Sequence, residues 1–562
     1  MKKTNNLFII YLIYFFVTSC SSREDNFEKE RNNKGTYFKI NIGIKDVGST
    51  NMAKALISRE AKAPFNTLTS ISKEKMVTLD DVDVLIDAKA EPVLKSQASL
   101  SKESVALGST PLEYGVNYRL LIYNASDNTL YKDVVGFGQI DPKITVEAGK
   151  QYKWYAISTN DLSIPTVDGN GYVAGSEISN KDILYASGTI STVYGENYLD
   201  IVFKHNSSRF VEAVVARGLF ATINNSTTIE IGIDTGSGFT NIIKTGDLNI
   251  FTGEYSNFQD VAAVTGENIK ILNPSQGAPG ATKYAVLYTV KPVDIPVNSL
   301  RVKFGRLSVN MQDPLVNPDN KTREWVNLIV PYENSAYQVT QNDSWYINTR
   351  LVESGIKVAN KQWARTNLYY DSNAQDDKWN FRADNNYDGG DQSVANTDFW
   401  NYRGSTPTGS YNDMTDPCTK VYPYGIWRMP SNIEFENLQN ADPAGFGAYN
   451  ITTGGVAFGT NRRPDDLTGN PSYPISSINL NFIFNGYRAL NGQIIESSNT
   501  LRSNDEDGPT ASVSYWTSDN WNDGNNGSYY SQTMAKANAV LNPPSFGIGP
   551  VTEGRQIRCV RK

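Results

Sequence analysis

The sequence has 562 residues and is mildly acidic, with 52 Lys and Arg against 59 Asp and Glu and a formal net charge of −7. An acidic chain without a basic patch is a poor nucleic-acid ligand, which excludes nucleic acid as a partner. A single His and three Cys argue against His-rich zinc sites and Ser-His-Asp or Cys-His catalytic centres. We expect about three or four domains and no enzyme activity.

The first residues form a pattern that is typical of export. Two Lys follow Met1, and eleven apolar residues run from Leu7 to Val17, too few for a membrane-spanning helix, which needs about 20. Residues 1–19 are therefore predicted to be a signal peptide that is removed. A small residue directly before Cys20 resembles the bacterial lipobox, and this resemblance implies that Cys20 begins the mature chain and carries lipid. The alternative is an ordinary signal peptide that contains a Cys.

Residues 20–35 are polar and Asn-rich, which predicts a flexible tether. The acidic pair Glu24 and Asp25 resembles the export tag that sends some lipoproteins of Bacteroidota to the outer face of the outer membrane. This resemblance implies a protein displayed on the cell surface, lipid-anchored in the outer membrane. The alternative is a plain linker that carries no export signal.

Residues 36–204 are predicted to form a β-sandwich. The first strand, at 37–44, alternates with a period of two, so that Phe38 and three Ile share one face. Further strands recur at short spacing between Gly, Asn and Pro residues, and no long helical pattern interrupts them. These strands are predicted at 81–86, 118–123, 143–147, 152–158 and 199–203.

Residues 205–352 repeat this pattern and are predicted to form a second sandwich. His205 ends an apolar strand, where we expect a structural or partly exposed side chain and not a metal ligand. The strands are predicted at 211–216, 228–233, 284–290, 300–304, 325–330 and 345–349.

The order of these strands resembles the fimbrillin family of Bacteroidota, in which two transthyretin-like sandwiches follow a lipobox signal. The resemblance rests on the strand at 37–44, on "YRLLIYN", on "VEAGKQYKWYAIS" and on "IVFKHNSSRF". It covers roughly residues 36–350. A generic envelope β-sandwich protein is the alternative.

This resemblance implies proteolysis followed by strand exchange. In fimbrillins an Arg-specific protease cuts after the first strand, and a strand from the next subunit fills the groove by β-augmentation. Arg59 lies downstream of the strand at 37–44, where such a cut would fall. Other fimbrial subunits are therefore predicted partners. The alternative is that Arg59 is an ordinary surface residue in a loop.

The composition changes near Gly355, and residues 355–562 are predicted to be a separate domain that holds six of the nine Trp. Its motifs are, in order, "QWARTNLY", "GIWRMPSNIEF", "FNGYR", "SYWTS" and "IRCVR". Their order resembles the major paralogous (FISUMP) domain, which is related to the C-type-lectin-like fold of formylglycine-generating enzymes. This resemblance implies an α+β domain after a mainly β N-terminal region.

Cys418 and Cys559 are the pair that remains if Cys20 is acylated, and an exported protein keeps its disulfides, so we expect a bond between them. Closing a loop of about 140 residues would stabilise the fold by about 5 kcal/mol. The bond would also fix the strand around Cys559. The domain is therefore not expected to donate a strand, although the first sandwich could still accept one.

Two features of this domain bear on ligands. Trp400 and Trp521 are predicted to be ligand-facing aromatics. Asp384, Asn386 and Asp388 have the spacing of oxygen ligands at the start of a calcium loop, but the twelfth position is Ala where an EF-hand needs a bidentate Glu. An Asx-rich turn is the preferred interpretation, so no cofactor or metal is assigned.

Other polar and aromatic residues of the domain are expected to be structural. Ser431 and Glu434 have the spacing of a helix capping box, which explains Glu434 without catalysis. Trp427, Tyr515 and Trp516 are predicted to lie in the core. The Cys residues sit in framework motifs, and an oxidised pair offers no thiolate nucleophile.

Together these patterns predict a surface lipoprotein that acts by binding. The favoured interpretation is a fimbrial tip or accessory subunit that presents an adhesive C-terminal domain to a glycan or a host surface protein. The alternative is a non-polymerising glycan-binding lipoprotein that works beside a polysaccharide importer.

Overall fold

The computed structural model describes residues 35–45, 69–79, 82–90, 109–112, 115–138, 142–272, 279–313, 322–383, 391–441, 448–450, 455–458, 480–497, 510–520, 524–535 and 540–562. These residues form 40 strands and one α-helix, so the protein is mainly β, as its composition predicts. Within the described ranges, no helix has the length and apolar character that crossing a membrane requires.

The first part of the chain supplies eleven of the described strands. They include the predicted strand at 37–44, which the structure extends by one residue. In chain order they are β1 (Tyr37–Lys45), β2 (Thr69–Leu79), β3 (Val82–Ala90), β4 (Ser109–Pro111), β5 (Asn117–Asn124), β6 (Leu130–Phe137), β7 (Ile144–Thr145), β8 (Gln151–Ser158), β9 (Tyr172–Val173), β10 (Leu184–Ser191) and β11 (Glu196–His205).

Eight of these strands form the first sandwich. One leaf has the order β4-β1-β11 with β7 beside β1, and the other has the order β10-β8-β5-β6. The strand β11 belongs to both leaves, because it pairs with β1 up to Phe203 and with β10 through Lys204 and His205. The core between the leaves contains Tyr118, Trp154 and the apolar face of β11. Alternation along each strand therefore places one face in this core.

The next part of the chain supplies fourteen described strands. Their sequences include all six strands predicted for the second sandwich. They are β12 (Ser208–Gly218), β13 (Ala221–Ile223), β14 (Thr228–Asp234), β15 (Phe239–Asn241), β16 (Lys244–Asn249), β17 (Tyr255–Asp260), β18 (Val264–Thr265), β19 (Ile269–Ile271), β20 (Thr282–Thr289), β21 (Val293–Ile295), β22 (Leu300–Met311), β23 (Thr322–Pro331), β24 (Tyr337–Val339) and β25 (Ser344–Glu353).

The second sandwich packs two sheets around the largest core. One sheet has the order β19-β20-β12-β25-β3-β2, and the other has the order β13-β22-β14-β15 with β18 and β23 alongside. The strand β12 is buried along nearly its whole length, and its residues 210–216, which are apolar except for Glu212, suit the middle of a sheet. A small third sheet, β17-β16-β9, joins residues of the two predicted sandwich segments.

The hairpin β2–β3 corrects one assignment made from the sequence. The sequence predicts that the strand at 81–86 belongs to the 36–204 sandwich, but β3 pairs along its length with β25, from Val82 opposite Glu353 to Ala90 opposite Trp345. Its apolar residues, including Val84 and Ile86, lie in the core of the second sandwich. Among the described strands, β2 and β3 thus belong to the second sandwich, and β4 is the next strand of the first.

The C-terminal domain is built from short strands and one helix. Its described sheets are β26-β27-β40-β30, β28-β29, β31-β32-β33, β34-β35 and β36-β37-β38 with β39 beside β37. Its elements are β26 (Ile356–Val358), β27 (Lys361–Trp363), β28 (Leu368–Tyr370), β29 (Trp379–Phe381), β30 (Trp427–Arg428), α1 (Asn432–Asn440), β31 (Ala448–Asn450), β32 (Gly455–Phe458), β33 (Leu480–Ile483), β34 (Tyr487–Arg488), β35 (Ile494–Ile495), β36 (Thr510–Asn520), β37 (Asn526–Ala535), β38 (Val540–Leu541), β39 (Ser545–Pro550) and β40 (Val560–Arg561).

Candidate functional site

The first strand and the groove that holds it form the candidate site for assembly. β1 runs parallel to β11 and pairs with it from Tyr37 opposite Glu196 to Ile44 opposite Phe203. On its other side, within the part of the chain that the structure describes, it pairs with β7 at Tyr37 and Phe38 and with β4 from Gly43 to Lys45. The strand therefore lies between β11 on one side and β7 and β4 on the other.

The side chains of β1 separate cleanly into two faces. Phe38 and Ile40 are 1% and 6% exposed and belong to the core of the first sandwich, where Ile42 and Ile44 pack against them. The Phe38 ring meets Tyr152 edge to face, with centroids 6.1 Å apart. Burying each such side chain contributes roughly 1.5–3 kcal/mol, so an empty groove would expose a costly apolar surface.

The outer face of β1 is held by polar contacts with β11. The Tyr37 hydroxyl donates to Glu196 over 2.8 Å, and the Asn41 amide donates to Asp200 over 2.8 Å. These contacts are exposed, so they contribute little to stability and chiefly favour one register. Any strand that replaced β1 would meet the same backbone groups and the same apolar pockets.

The chain connectivity isolates β1 from the rest of the described fold. Residues 46–68, which lie outside the described ranges, join β1 to β2, and β2 already belongs to the second sandwich. The hairpin β2–β3 is fixed there by the ladder between β3 and β25. A break in the 46–68 connection would therefore separate β1 from the hairpin without removing any strand of the second sandwich.

The C-terminal domain is tied to the second sandwich by buried Arg residues. Arg365 contacts Glu353 at the end of β25 over 3.1 Å, and Arg382 contacts Asp313 over 2.8 Å. These four side chains are at most 8% exposed. The domain is thus anchored by side chains that must stay paired, because an unpaired buried charge is strongly destabilising.

The predicted disulfide is present between Cys418 and Cys559, whose Cα atoms are 5.8 Å apart. Cys418 lies in a one-turn 3-10 helix, Pro417–Lys420, and Cys559 directly precedes β40. Both Cys are fully buried beside Trp427. The bond therefore fastens β40 between β27 and β30, where it also forms backbone pairs.

Trp400 does not face a ligand, so the sequence prediction for this residue is corrected. Its side chain has no exposed surface, it belongs to the core around the disulfide, and its indole N–H donates to the Leu368 carbonyl over 3.3 Å. Trp427, Tyr515 and Trp516 are fully buried, as predicted. Aromatic abundance in this domain thus reflects its core.

Several predicted site residues lie outside the described residues. This group contains the lipidation candidate, the cleavage candidate, the three calcium-loop candidates and the second predicted ligand-facing aromatic. They are Cys20, Arg59, Asp384, Asn386, Asp388 and Trp521. Among the residues that the structure does describe, no cluster of three or more His, Cys, Asp or Glu is arranged to hold a metal.

Glu434 is a structural carboxylate, as its spacing from Ser431 predicts. It accepts from the Ser431 backbone N–H over 2.9 Å and completes the capping box of α1. Arg428 and Lys361 also contact it, at 2.8 Å and 3.2 Å. Burial opposes its ionisation, but these hydrogen bonds outweigh burial and lower its pKa to about 2. A carboxylate held ionised in this way is a poor general acid.

His205 has the structural role expected for it. Its Nδ1 lies 2.7 Å from Asp182, and both side chains are less than a fifth exposed. The pair lies where β11 meets β10, opposite Leu184. It thus supports the strand that connects the two leaves of the first sandwich.

No family model matches the sequence, and no curated protein matches it. A candidate cell adhesion protein from Bacteroides fragilis aligns with 13% identity and a TM-score of 0.29, over 56% of this chain and 92% of that chain. A candidate adhesin from Bacteroides thetaiotaomicron aligns with 12% identity and a TM-score of 0.23, over 38% of this chain and 75% of that chain. The fimbrial anchor protein Mfa2 from Porphyromonas gingivalis aligns with 14% identity and a TM-score of 0.19, over 36% and 73% respectively. These alignments are similarities only and establish neither a family nor a function.

Proposed function

We propose that the protein is displayed on the cell surface as a lipid-anchored precursor. A cut at Arg59, which separates Cys20 and β1 from the remaining chain, then yields a fimbrial subunit, at the tip or as an accessory, that accepts a strand in place of β1 and presents an adhesive C-terminal domain. The observation that carries the proposal is the way in which β1 packs and pairs in the first sandwich. This strand has a buried apolar face, a continuous parallel ladder with β11, and a single connection to the second sandwich.

Loss of β1 would create an acceptor for another strand. The vacated groove would present unpaired backbone groups of β11 above an apolar core, which is the surface that β-augmentation uses. An incoming strand with apolar residues at every second position would restore both the ladder and the core. A cut at Arg59 would release β1 while β2 and β3 stay in the second sandwich, a division that supports this residue as the cleavage site.

The anchoring of β40 supports a role as acceptor and not as donor. Its neighbour Cys559 is in the disulfide, and Arg561 pairs with Asp83 over 2.7 Å. Pulling β40 out would break a covalent bond and leave buried charges unpaired. A subunit that accepts a strand and keeps β40 in place fits a terminal position.

Protease treatment tests the acceptor function. The purified chain from residue 21 onward is incubated with an Arg-specific protease and a biotinylated fimbrial donor-strand peptide, and capture of the protein on streptavidin is measured. We expect capture only after cleavage, and none for Arg59→Gln, which keeps β1 attached. Capture without cleavage, or cleavage without capture, would refute strand acceptance and favour the stand-alone glycan binder.

Cell fractionation tests the anchor. Cys20→Ser removes the thiol that would carry lipid, so we expect the variant to leave the membrane fraction and to lose surface accessibility. Equal membrane association of the variant and the natural chain would contradict lipid anchoring at this residue.

A further inference from the structure

A cleft of about 270 Å³ lies where the second sandwich meets the C-terminal domain. One wall comes from the end of β12 and its neighbours, and the other comes from the loop between β28 and β29. The residues that matter most are Phe220, Gln312, Tyr369, Asp371, Gln375 and Asp376. Ligand pockets favour such domain junctions, and this volume lies just below their usual range of roughly 300–1,000 Å³, which suits a small ligand.

The charged residues of the cleft divide into paired and available groups. Arg217 makes a two-pronged contact with Asp377 at 2.8 Å and 2.9 Å, so these two charges neutralise each other. Asp371 holds the loop by accepting from two backbone N–H groups, and Asp376 is exposed at the rim. The cleft thus keeps carboxylate acceptors that its own Arg does not occupy.

Tyr369 provides an independent indication of a ligand. Its side chain is 2% exposed and lines the cleft, yet its hydroxyl makes no hydrogen bond to any residue that the structure describes. Burial, joined by the charge of Asp313, raises the pKa of Tyr369, so the hydroxyl stays protonated and can both donate and accept. The hydroxyl therefore has hydrogen-bonding capacity that a molecule bound in the cleft can use.

The lining matches a hydroxyl-rich ring better than a simple cation. A cation needs acceptors only, whereas this cleft combines carboxylates with the donor groups of Tyr369 and Gln375. The Phe220 ring and the Ala374 methyl group add apolar surface against which the C–H face of a sugar can pack.

We propose that this cleft binds one sugar unit of a glycan, an inference that rests on the proposed adhesive function and places its ligand site at the domain junction. The binding surface would then belong to the second sandwich and the C-terminal domain together. The exposed aromatic side chains of the C-terminal domain would then not be enough to bind the glycan.

Titration of the full-length mature protein by saturation-transfer NMR tests this inference. The probes are the methyl glycosides of glucose, galactose, mannose and N-acetylglucosamine. We expect at least one of them to bind with a dissociation constant on the order of 1 mM, as a ligand of about a dozen heavy atoms allows. Asp376→Asn should weaken binding by about tenfold or more, because it removes a charged acceptor at the rim.

Two further variants and a control complete the experiment. Ala374→Trp fills the cleft from a half-buried loop position and should abolish binding, and Tyr369→Phe should weaken it. Asp294→Asn, an exposed carboxylate in the small sheet β21–β24, should bind as the natural chain does. Circular dichroism verifies that each variant is folded. If Ala374→Trp does not fold, the sugar affinity of Asp376→Asn tests whether the cleft binds sugar.

The outcomes separate this inference from the proposed function. No binding by any of the four sugars, or binding that Ala374→Trp and Asp376→Asn leave unchanged, overturns the cleft as the glycan site. Whether or not sugar binds, capture of the donor-strand peptide by Ala374→Trp after protease treatment tests separately whether the protein accepts a strand. Loss of sugar binding with intact strand capture is the result that supports both.

Discussion

Arg561, in the last described strand of the C-terminal domain, donates from Nη2 to Oδ2 of Asp83 in the hairpin of the second sandwich, over 2.7 Å and 478 residues of sequence. Both side chains are at most 10% exposed. Burial raises the pKa of Asp83 despite the opposing charge of Arg561, and burial lowers the pKa of Arg561. The two pKa shifts have the same cause, which is that burial has removed water from each charge. Each charge is then stabilised chiefly by the other.

Breaking this pair should destabilise the junction between the domains. Asp83→Ala leaves Arg561 buried without its carboxylate partner, although the Glu353 backbone carbonyl still accepts from it. We therefore expect a loss of roughly 3–5 kcal/mol in the free energy of unfolding of the C-terminal domain. Asp83→Leu combined with Arg561→Met should cost much less, because neither charge remains. Proteolysis in graded urea measures the unfolding of this domain.

The matched control for that experiment is an exposed pair. Lys75 and Glu333 form an ion pair in which both side chains are about half exposed. Glu333→Ala should change stability by no more than about 0.5 kcal/mol. A loss for Asp83→Ala as small as the loss for Glu333→Ala would contradict the anchoring role of the buried pair.

The disulfide should stabilise the C-terminal domain selectively. Cys418 and Cys559 are separated by 141 residues, and a loop of this length gives about 5 kcal/mol of stabilisation through the entropy of the unfolded chain. The double variant Cys418→Ala and Cys559→Ala should therefore lower the melting temperature of this domain in differential scanning calorimetry. The first sandwich shares no core cluster with the two Cys, so its own transition should stay in place. An equal shift of all transitions would contradict this division.

Glu212 should make stability fall as pH rises. It lies fully buried in the middle of β12, and burial raises its pKa far above the ordinary value despite a hydrogen bond from Thr349. The folded protein therefore keeps a proton that the unfolded chain releases above pH 4.5, and the stabilising contribution present below that pH declines as pH rises.

Glu212→Gln tests this dependence. The amide keeps an acceptor for Thr349 and carries no charge at any pH, so the variant should gain stability over the natural chain at pH 7 and lose the advantage at pH 4. Urea unfolding curves at the two pH values measure the difference. If the difference in stability between the variant and the natural chain is the same at pH 4 and pH 7, the raised pKa of Glu212 is contradicted.

Glu434 should show the opposite dependence on pH. Its pKa is about 2 in the folded protein against an ordinary value of 4.5, so its contribution is present above pH 4.5 and is lost as pH falls towards 2. Glu434→Gln should weaken the C-terminal domain at pH 6 and change it little at pH 2. Thermal unfolding at these two pH values checks the prediction, which fails if the variant is equally destabilised at both.

The sequence predicts the strands of this protein better than their partners. Alternation of Phe38 with three Ile identifies β1 and its buried face, because period two is a local property. It does not reveal that β3 pairs with β25, since that partner lies more than 250 residues away and both sandwiches accept the same pattern. The strand at 81–86 is therefore assigned to the wrong sandwich by sequence.

The same contrast between local patterns and long-range contacts applies to the candidate sites. The disulfide could be predicted because the chain has three Cys and only two remain if Cys20 is acylated. The burial of Trp400 could not, because a Trp in a loop-rich segment has no periodic pattern to show which way it faces. The cleft beside Tyr369 was also missed, since its walls come from segments about 150 residues apart whose approach depends on long-range pairs such as Arg217 with Asp377.

Hydrogen exchange at β11 tests the central claim, acceptance of a strand in place of β1, most directly. After cleavage at Arg59 and removal of the released segment, we predict that amides from Glu196 to Phe203 exchange faster, and that a synthetic strand with the sequence of Tyr37–Lys45 restores their protection. Protection that survives the loss of β1, or that no added strand restores, would contradict the claim.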